Sequence, residues 1–150
     1  MDQLFMQEAL KEAEKAGAAG EVPVGAVMVC DGEIIARAHN TREAENDPTA
    51  HAEMSCIRAA AKELGNWRLS RCKLYVTLEP CPMCAGAMVM SRLGECVYGA
   101  YDEKQGCCGS VYDLPGDAAL ASQTKWQGGV MEEECKAVMQ SFFQKKREPV

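Results

Sequence analysis

The sequence predicts an α/β protein, a three-layer α/β/α sandwich around one mixed sheet of about five strands. Helical and strand patterns alternate along the chain, a hairpin lies near its start, and a strand, helix and strand follow one another later. A chain of 150 residues has the size of one compact domain, and no repeat or linker divides it. We therefore predict a single domain over residues 1 to 150.

The first part of the chain predicts a helix followed by a β-hairpin. Residues 2 to 16 place apolar side chains near one stripe, with acids and lysines opposite, which is typical of an amphipathic helix. Residues 22 to 29 are rich in valine, and a second run covers residues 33 to 39. Asp31 and Gly32 between them form a two-residue turn signal, which favours a hairpin.

A second helix follows a loop over residues 40 to 46. Asp47 and Pro48 have the pattern of an N-cap followed by proline at the first helical position. We expect this helix to continue over residues 51 to 64, with Gly65 as its stop.

The second half repeats the strand-then-helix order. Two strands joined by a helix of this length become parallel neighbours in a sheet. The predicted elements are a strand over residues 74 to 78, a helix from 80 to about 92, a strand over 96 to 100, an irregular stretch from 101 to 122, a short strand over 126 to 130 and a final helix over 131 to 146.

Composition points to a cytoplasmic protein without a membrane helix. The chain has nine cysteines, an odd number at irregular spacing, which is a poor framework for disulfides. Its apolar runs are far shorter than the roughly 18 residues that a membrane helix needs. The first residues have no basic region and apolar stretch of a secretory signal, so we expect a cytoplasmic location and free thiols.

Two short motifs carry the chemistry. His51 and Glu53 form a His-x-Glu motif, and Cys81 and Cys84 follow Pro80 in a Pro-Cys-x-x-Cys motif. Together they supply one imidazole and two thiolates, with a carboxylate that is not needed as a ligand. Zinc held by only three protein ligands keeps a position open for water, whereas structural zinc is normally closed by four. The motifs therefore predict one catalytic Zn²⁺ per subunit.

The predicted helices bring the motifs to one place. In a regular helix His51 and Glu53 would point about 200° apart, so they converge only near a helix entrance. Cys81 and Cys84 are three apart and share one face of a helix. Both motifs open helices, and the positive ends of two helix dipoles favour thiolates at this edge of the sheet.

Other interpretations of the cysteine motif stay open. A Cys-x-x-Cys pair in a reducing compartment can be a redox pair. A closed structural zinc site would need a fourth ligand, either His39 or one of the remaining cysteines. The donor set also suits other transition ions. The joint occurrence of a histidine, a glutamate and two cysteines at helix starts favours the catalytic zinc site.

The combination resembles the known signature of zinc-dependent nucleobase deaminases. Zinc lowers the pKa of a bound water from 15.7 to about 7, which makes hydroxide available at neutral pH. Glu53 is then expected to take the proton of the water, to pass it to the ring nitrogen during the attack, and then to deliver a further proton to the departing amine. The product has a carbonyl in place of an exocyclic amine, and ammonia is released.

At a finer level the chain resembles bacterial tRNA-specific adenosine deaminases over roughly residues 4 to 147. This resemblance implies the cytidine deaminase-like fold and the conversion of adenosine to inosine at the wobble position of a tRNA anticodon. It also implies a homodimer with a site near the interface. The segments that carry it are residues 23 to 27, His39-Asn40, residues 47 to 53, residues 74 to 88 and residues 99 to 102.

The resemblance also implies site residues. It gives His51, Cys81 and Cys84 as zinc ligands and Glu53 as the proton shuttle. The predicted substrate contacts are the side chain of Asn40, the apolar Val22, the backbone at Ala52, and Asp102 and Lys104 in a loop that meets neighbouring nucleotides. Without the resemblance, the sequence predicts that Asn40 forms a turn and that Val22 is a strand residue in the core.

Some features depart from an RNA-editing enzyme. Tyr101 stands where family members often have arginine, and Cys107-Cys108 replaces small residues. The formal charge of −6 does not favour approach to polyanionic RNA. A local basic face is still expected, since a protein binds RNA through clustered cations and unpaired bases. Its candidates are Arg42, Arg68, Arg71, Lys73, Lys136, Lys145, Lys146 and Arg147.

Two other functions are also compatible with the sequence. The nearer is a deaminase of a free base or nucleoside, such as guanine, cytosine or cytidine, with the same zinc and glutamate chemistry. The more distant is a non-catalytic RNA-binding module stabilised by zinc, in which Glu53 beside the metal would have no role.

Overall fold

The computed structural model describes residues 1–147, which form five helices, one 3₁₀ turn and five strands. Helices and strands alternate as predicted, and most ends lie within a few residues of the expected positions. The elements are α1 Asp2–Ala18, β1 Gly25–Cys30, β2 Glu33–His39, α2 Arg42–Glu45, α3 Ala52–Leu64, β3 Cys72–Leu78, α4 Pro82–Met90, β4 Glu95–Ala100, the 3₁₀ turn Ala118–Leu120, β5 Lys125–Gln127 and α5 Glu132–Arg147.

The five strands form one mixed sheet in the order β2-β1-β3-β4-β5. β1 pairs antiparallel with both β2 and β3, and the β1–β2 ladder contains an irregularity between Met28 and Val29. β3 and β4 pair in parallel, with Leu74 opposite Cys96, and β4 and β5 also pair in parallel. The mixed five-stranded sheet and the parallel β3–β4 pair confirm the prediction.

Helices cover both faces of this sheet and give the three predicted layers. On one face, α3 and α4 enclose a core that includes Met28, Leu74 and Val76. On the other face, α1 and α5 pack over Val27 and Tyr75. All six residues of β1 are buried because that strand has a layer of helices on each side. In residues 1–147 no helix is both long and apolar enough to cross a bilayer.

The predicted helix start at Asp47 and Pro48 is wrong. α3 begins only at Ala52, and the residues before it form a turn. The Asp47 carboxylate accepts the backbone N–H of Thr49 at 2.8 Å and its hydroxyl at 2.7 Å. An Asx turn therefore uses the side chain that would otherwise cap a helix.

The loop predicted over residues 40 to 46 contains the short helix α2. The buried carboxylate of Glu21 accepts the N–H groups of Glu43 at 3.0 Å and Ala44 at 2.8 Å. These bonds satisfy donors at the start of the helix, which has no side-chain cap of its own. Glu21 is distant in the sequence, so a local pattern cannot predict this contact.

The last strand is shorter than predicted and lies earlier in the chain. β5 ends at Gln127, and Gly128 and Gly129 follow it. Gly129 has a φ of 87°, in the left-handed region, so the chain turns there before α5. The apolar Val130, which suggested a longer strand, packs instead in the core beneath α1 and α5.

The contact between α1 and β1 depends on the absence of a side chain at Gly25. A Cβ atom there would lie 2.1 Å from the carbonyl oxygen of Ala9 and 2.3 Å from the backbone nitrogen of Ala13. Both neighbours are backbone atoms of α1, which cannot move without moving the helix.

Gly25→Ala is therefore expected to lower the free energy of unfolding by about 1–3 kcal/mol or more, because it forces α1 away from the sheet. Urea unfolding followed by circular dichroism measures this loss. Gly86→Ala in α4 is the matched control, since a Cβ there meets nothing within 4 Å. We expect the control to be neutral or more stable by about 0.5–1 kcal/mol. Equal stability of the Gly25→Ala protein and the wild type would contradict the close approach.

Candidate metal centre and substrate pocket

The two motifs meet at the starts of two helices. His51 is the N-cap residue of α3 and Cys81 is the N-cap residue of α4, and both have extended backbone dihedral angles. Pro82 occupies the first turn of α4, where its missing N–H costs no hydrogen bond. Cys84, one turn further, is buried on the same helix. The structure therefore brings His51, Cys81 and Cys84 together as the sequence predicts.

The spacing of these three residues fits a tetrahedral zinc ion. The Nδ1 atom of His51 lies 3.5 Å from the Sγ atom of Cys81 and 3.5 Å from the Sγ atom of Cys84. Zn–N and Zn–S bonds of ordinary length with a tetrahedral angle put nitrogen and sulfur about 3.6 Å apart. All three ligand atoms lie within 4.8 Å of one another. Their imidazole and thiolate chemistry is also the set that zinc prefers.

A fourth protein ligand does not join the three. Across residues 1–147, the cluster of histidine, cysteine and acidic ligand atoms consists of His51, Cys81 and Cys84. His39, the candidate for a closed site, instead has its Nδ1 atom 3.1 Å from a carboxylate oxygen of Glu12. The three-ligand arrangement leaves a position for water, as a catalytic zinc site requires.

The pKa values of the two cysteines shift in opposite directions. A hydrogen bond from Cys84, reinforced by His51, lowers the pKa of Cys81 to about 4. The same bond, together with burial, raises the pKa of Cys84 well above its usual value. The hydrogen bond with Cys81 also raises the pKa of His51. Because thiolates and not thiols bind a metal ion, metal binding by these two cysteines is expected to release protons.

Glu53 lies beside the ligands without belonging to their cluster. It is in the first turn of α3 and its side chain is buried. Burial raises the pKa of Glu53 to about 7. A carboxyl group whose pKa lies near neutrality can both accept and donate a proton at working pH, which is the property that general acid–base catalysis needs.

A small cavity of about 190 Å³ opens beside these groups. Its walls combine apolar side chains with a few convergent polar groups, which is typical of a site for a small planar ligand. The lining residues are Val22, Val24, Asn40, Arg42, His51, Glu53, Leu78, Glu79, Cys81, Asp102, Gln105 and Met139.

Asn40 connects two walls of this cavity. Its Oδ1 atom accepts the N–H of Ala52 at 2.8 Å, and its Nδ2 atom donates to the carbonyl oxygen of Val22 at 3.0 Å. An amide has two N–H donors, so one can still reach a ligand. The Ala52 N–H is already donated inside the protein. Base contacts from Asn40, Ala52 and Val22 stay predictions, although the structure places Val22 and Asn40 at the cavity.

A larger groove of about 820 Å³ continues from the cavity along α5. The two share Asp102 and Gln105 in their walls. The predicted contacts Asp102 and Lys104 both line this groove, so their placement is compatible with flanking nucleotides. The other lining residues include Tyr101, Lys136, Met139, Gln140 and Phe143.

The predicted basic residues do not all lie at the site. Lys136 lines the groove and Arg42 lines the cavity. Arg71 pairs with Asp31 at 2.7 Å, and Lys73 lies 3.7 Å from acidic oxygens of Asp2 and Glu95. These last two cations therefore have protein partners elsewhere.

Sequence reasoning did not assign five of the residues that line the cavity, namely Val24, Leu78, Glu79, Gln105 and Met139. Gln105 and Met139 line the cavity, and buried Glu79 lies in its wall. Glu79 lies between the predicted strand over residues 74 to 78 and the Pro-Cys-x-x-Cys motif. A charged residue between these two segments was the available signal. Gln105 and Met139 come from an irregular loop and from α5, and no motif distinguishes them.

Comparisons with known proteins agree with this geometry. The cytidine and deoxycytidylate deaminase zinc-binding region matches residues 1–100. The tRNA-specific adenosine deaminase of Bacillus subtilis (strain 168) is 54% identical over 146 residues, which cover 97% of this chain and 91% of that protein.

Solved structures give the same relationship. A tRNA:A34 deaminase, studied for A-to-I editing at the wobble position of transfer RNA, aligns with a TM-score of 0.87 and 43% identity, over 90% of this chain and 98% of that chain. A guanine deaminase of Bacillus subtilis aligns with a TM-score of 0.63 and 36% identity, over 98% of this chain and 77% of that chain.

Cys81→Ser is expected to lower zinc binding from about one ion per chain toward none, because a hydroxyl replaces a thiolate ligand. Metal analysis after dialysis measures the stoichiometry. Cys107→Ser is the matched control, since Cys107 lines a surface pocket together with His51 and Cys81 but its thiol donates to the Gln105 carbonyl at 3.4 Å. We expect the control to keep its zinc. Loss of zinc from the control alone would refute the ligand assignment.

Proposed function

Because this chain belongs to the cytidine and deoxycytidylate deaminase family, and within it to the tRNA-specific adenosine deaminases, we propose that it converts adenosine to inosine at the wobble position of a tRNA anticodon. The observation that carries the proposal is the open His51, Cys81 and Cys84 cluster with Glu53 buried beside it. The reaction is hydrolytic: water adds at C6 of adenine, and ammonia leaves.

The metal is Zn²⁺, and His51, Cys81 and Cys84 would hold it. When bound, it lowers the pKa of a water molecule so that the water attacks as hydroxide at neutral pH. The two helix N-termini place partial positive charge around the cysteines, which favours their thiolate form.

Glu53 is the proposed proton carrier. Its carboxylate accepts a proton from the attacking water and delivers it to N1 of the adenine ring. It then transfers the second proton of the water to the exocyclic nitrogen, which departs as ammonia. The burial that raises the pKa of Glu53 to about 7 allows it to hold each proton between the two transfers.

The remaining cavity residues are proposed to hold the base. The free N–H of the Asn40 amide can donate to a ring nitrogen, while Val22 provides an apolar surface beneath the ring. The cavity is too small for the anticodon loop, so the target nucleotide must leave the stack and enter alone. The adjoining groove, with Asp102 and Lys104, then receives the neighbouring nucleotides.

We also infer a homodimer in the cytoplasm. Val111 and Tyr112 are exposed apolar residues beside the metal cluster, where a second subunit would cover them. All nine cysteines lie in the described residues and none of them forms a disulfide, which suits a reducing compartment. A tRNA substrate is available there.

Glu53→Gln is expected to keep its zinc and to lower kcat by about a hundredfold to ten-thousandfold, since the amide has the same shape but cannot carry the proton. Single-turnover inosine formation and metal analysis of the same sample measure both properties. Glu12→Gln is the control, because it replaces another buried glutamate that lies away from the cavity. Wild-type turnover by the Glu53→Gln protein would refute the assigned role.

Purified zinc-loaded protein is expected to form inosine in an anticodon stem-loop with a wobble adenosine, and to leave free adenosine, cytidine and guanine unchanged. The physical reason is that the groove adds binding energy from flanking nucleotides that a free nucleoside lacks. A stem-loop whose only adenosine lies within the paired stem is the matched control. Turnover of guanine instead would support the free-base alternative, and binding of RNA without any reaction would support the non-catalytic module.

A further inference from the structure

The side chain of Glu79 holds the loop over residues 101 to 110 by four hydrogen bonds. Its carboxylate is 2% exposed and lies just before the metal-binding motif. Oε1 accepts the N–H of Asp102 at 3.0 Å and the hydroxyl of Ser110 at 2.5 Å. Oε2 accepts the N–H of Cys108 at 3.0 Å and the N–H of Ser110 at 3.0 Å. Both ends of the loop thus converge on one carboxylate.

Backbone bonds on either side of the carboxylate continue this connection. The N–H of Glu79 donates to the carbonyl oxygen of Ala100 at 2.9 Å, and the N–H of Cys107 donates to the carbonyl oxygen of Pro80 at 2.8 Å. Pro80 is followed directly by the metal ligand Cys81. The position of the loop is therefore coupled to the position of the metal ligand through two consecutive residues.

The loop packs against the carboxylate without a gap. At Gly106 a Cβ atom would lie 2.3 Å from Cδ of Glu79 and 2.5 Å from the carbonyl oxygen of Asp102. Only glycine allows this approach. A buried carboxylate is costly unless its hydrogen bonds are satisfied, and here three backbone N–H groups and a hydroxyl satisfy them.

The loop so held forms part of the substrate site. Asp102 and Gln105 line both the cavity and the groove, and Lys104 lines the groove. The Asp102 side chain further accepts the N–H groups of Lys104 at 3.0 Å and Gln105 at 3.1 Å. The orientation of these three residues therefore depends on where Glu79 holds the Asp102 backbone.

We propose that Glu79 is a positioning residue, whose carboxylate fixes the 101–110 loop in the shape that receives the nucleotides beside the target base. This proposal rests on the proposed function. Glu79 acts through the loop and not on the reacting atoms, so it governs how tightly RNA binds more than how fast the bound adenosine reacts.

Glu79→Gln tests the proposal, because the amide has the same size but turns an N–H₂ group toward N–H donors. We expect KM for the anticodon stem-loop to rise about tenfold or more, with a much smaller change in kcat and unchanged zinc content. Ser110→Ala, which removes one of the four bonds and is the milder change, is expected to give a smaller rise in KM. Gly106→Ala leaves the carboxylate intact but displaces the loop, and is expected to raise KM as well.

Hydrogen exchange by mass spectrometry provides a readout that does not depend on activity. In zinc-loaded Glu79→Gln protein, we expect faster amide exchange in peptides covering residues 102 to 110 and unchanged exchange in α3. Glu12→Gln is the control for loss of a buried carboxylate, since Glu12 contacts Lys15 and His39 on α1 and β2. We expect it to change stability without changing KM or exchange in the loop.

Wild-type exchange in the loop of Glu79→Gln would overturn the proposal. The proposal would also be overturned if kcat and kcat/KM of Glu79→Gln fell by the same factor, in proportion to its loss of stability. A residue with a merely structural role would give that result. If the wild type itself does not process the stem-loop, the proposed function fails, and the exchange measurement still decides whether Glu79 holds the loop.

Discussion

The catalytic arrangement depends on two helices that begin at the same edge of the sheet. His51 and Cys81 are N-cap residues, so their side chains lie where the unsatisfied N–H groups of α3 and α4 converge. That convergence provides the ligand spacing of 3.5 Å and the positive potential that favours thiolates. N-cap residues have extended backbone and directly follow non-helical segments of the chain. These segments must have a fixed position for the ligands to keep their geometry.

Buried carboxylates hold the short helix α2 and the 101–110 loop at the cavity. Glu21 accepts two N–H groups of the segment that carries Arg42, and Glu79 accepts three from the loop that carries Asp102. A carboxylate can accept several bonds at once, which makes it suited to gather N–H groups from the start of a helix or from an irregular loop. The buried carboxylates of Glu21 and Glu79 therefore fix the position of nearby backbone. The amide of Asn40 does the same between Ala52 and Val22.

The sequence could predict that His51, Cys81 and Cys84 come together because their signal is local: each motif spans a few residues at a helix start. The alternation of helices and strands, and the parallel β3–β4 pair, followed from periodicity in the same way. The missed features come from contacts between distant segments. Glu79 reaches residues 23 to 31 positions away, and Glu21 caps α2 from 22 positions away. The prediction of a helix start at Asp47-Pro48 was wrong although its signal is local. An Asx turn and a helix N-cap have the same local sequence pattern, and only the tertiary structure distinguishes them.

Net charge is a poor guide to RNA binding here because the charges are segregated along α5. Its first turn has Glu132, Glu133 and Glu134, whereas its last turn has Lys145, Lys146 and Arg147. Lys146 lines a small pocket together with Arg42, which also lines the substrate cavity. At physiological ionic strength, charges more than about 8 Å apart are largely screened, so a phosphate at this pocket experiences the local charges, Arg42 and Lys146 with Glu21 and Glu43, more than the total of −6. The arrangement of charges around the cavity, and not the total charge of the chain, therefore decides how an RNA backbone is held there.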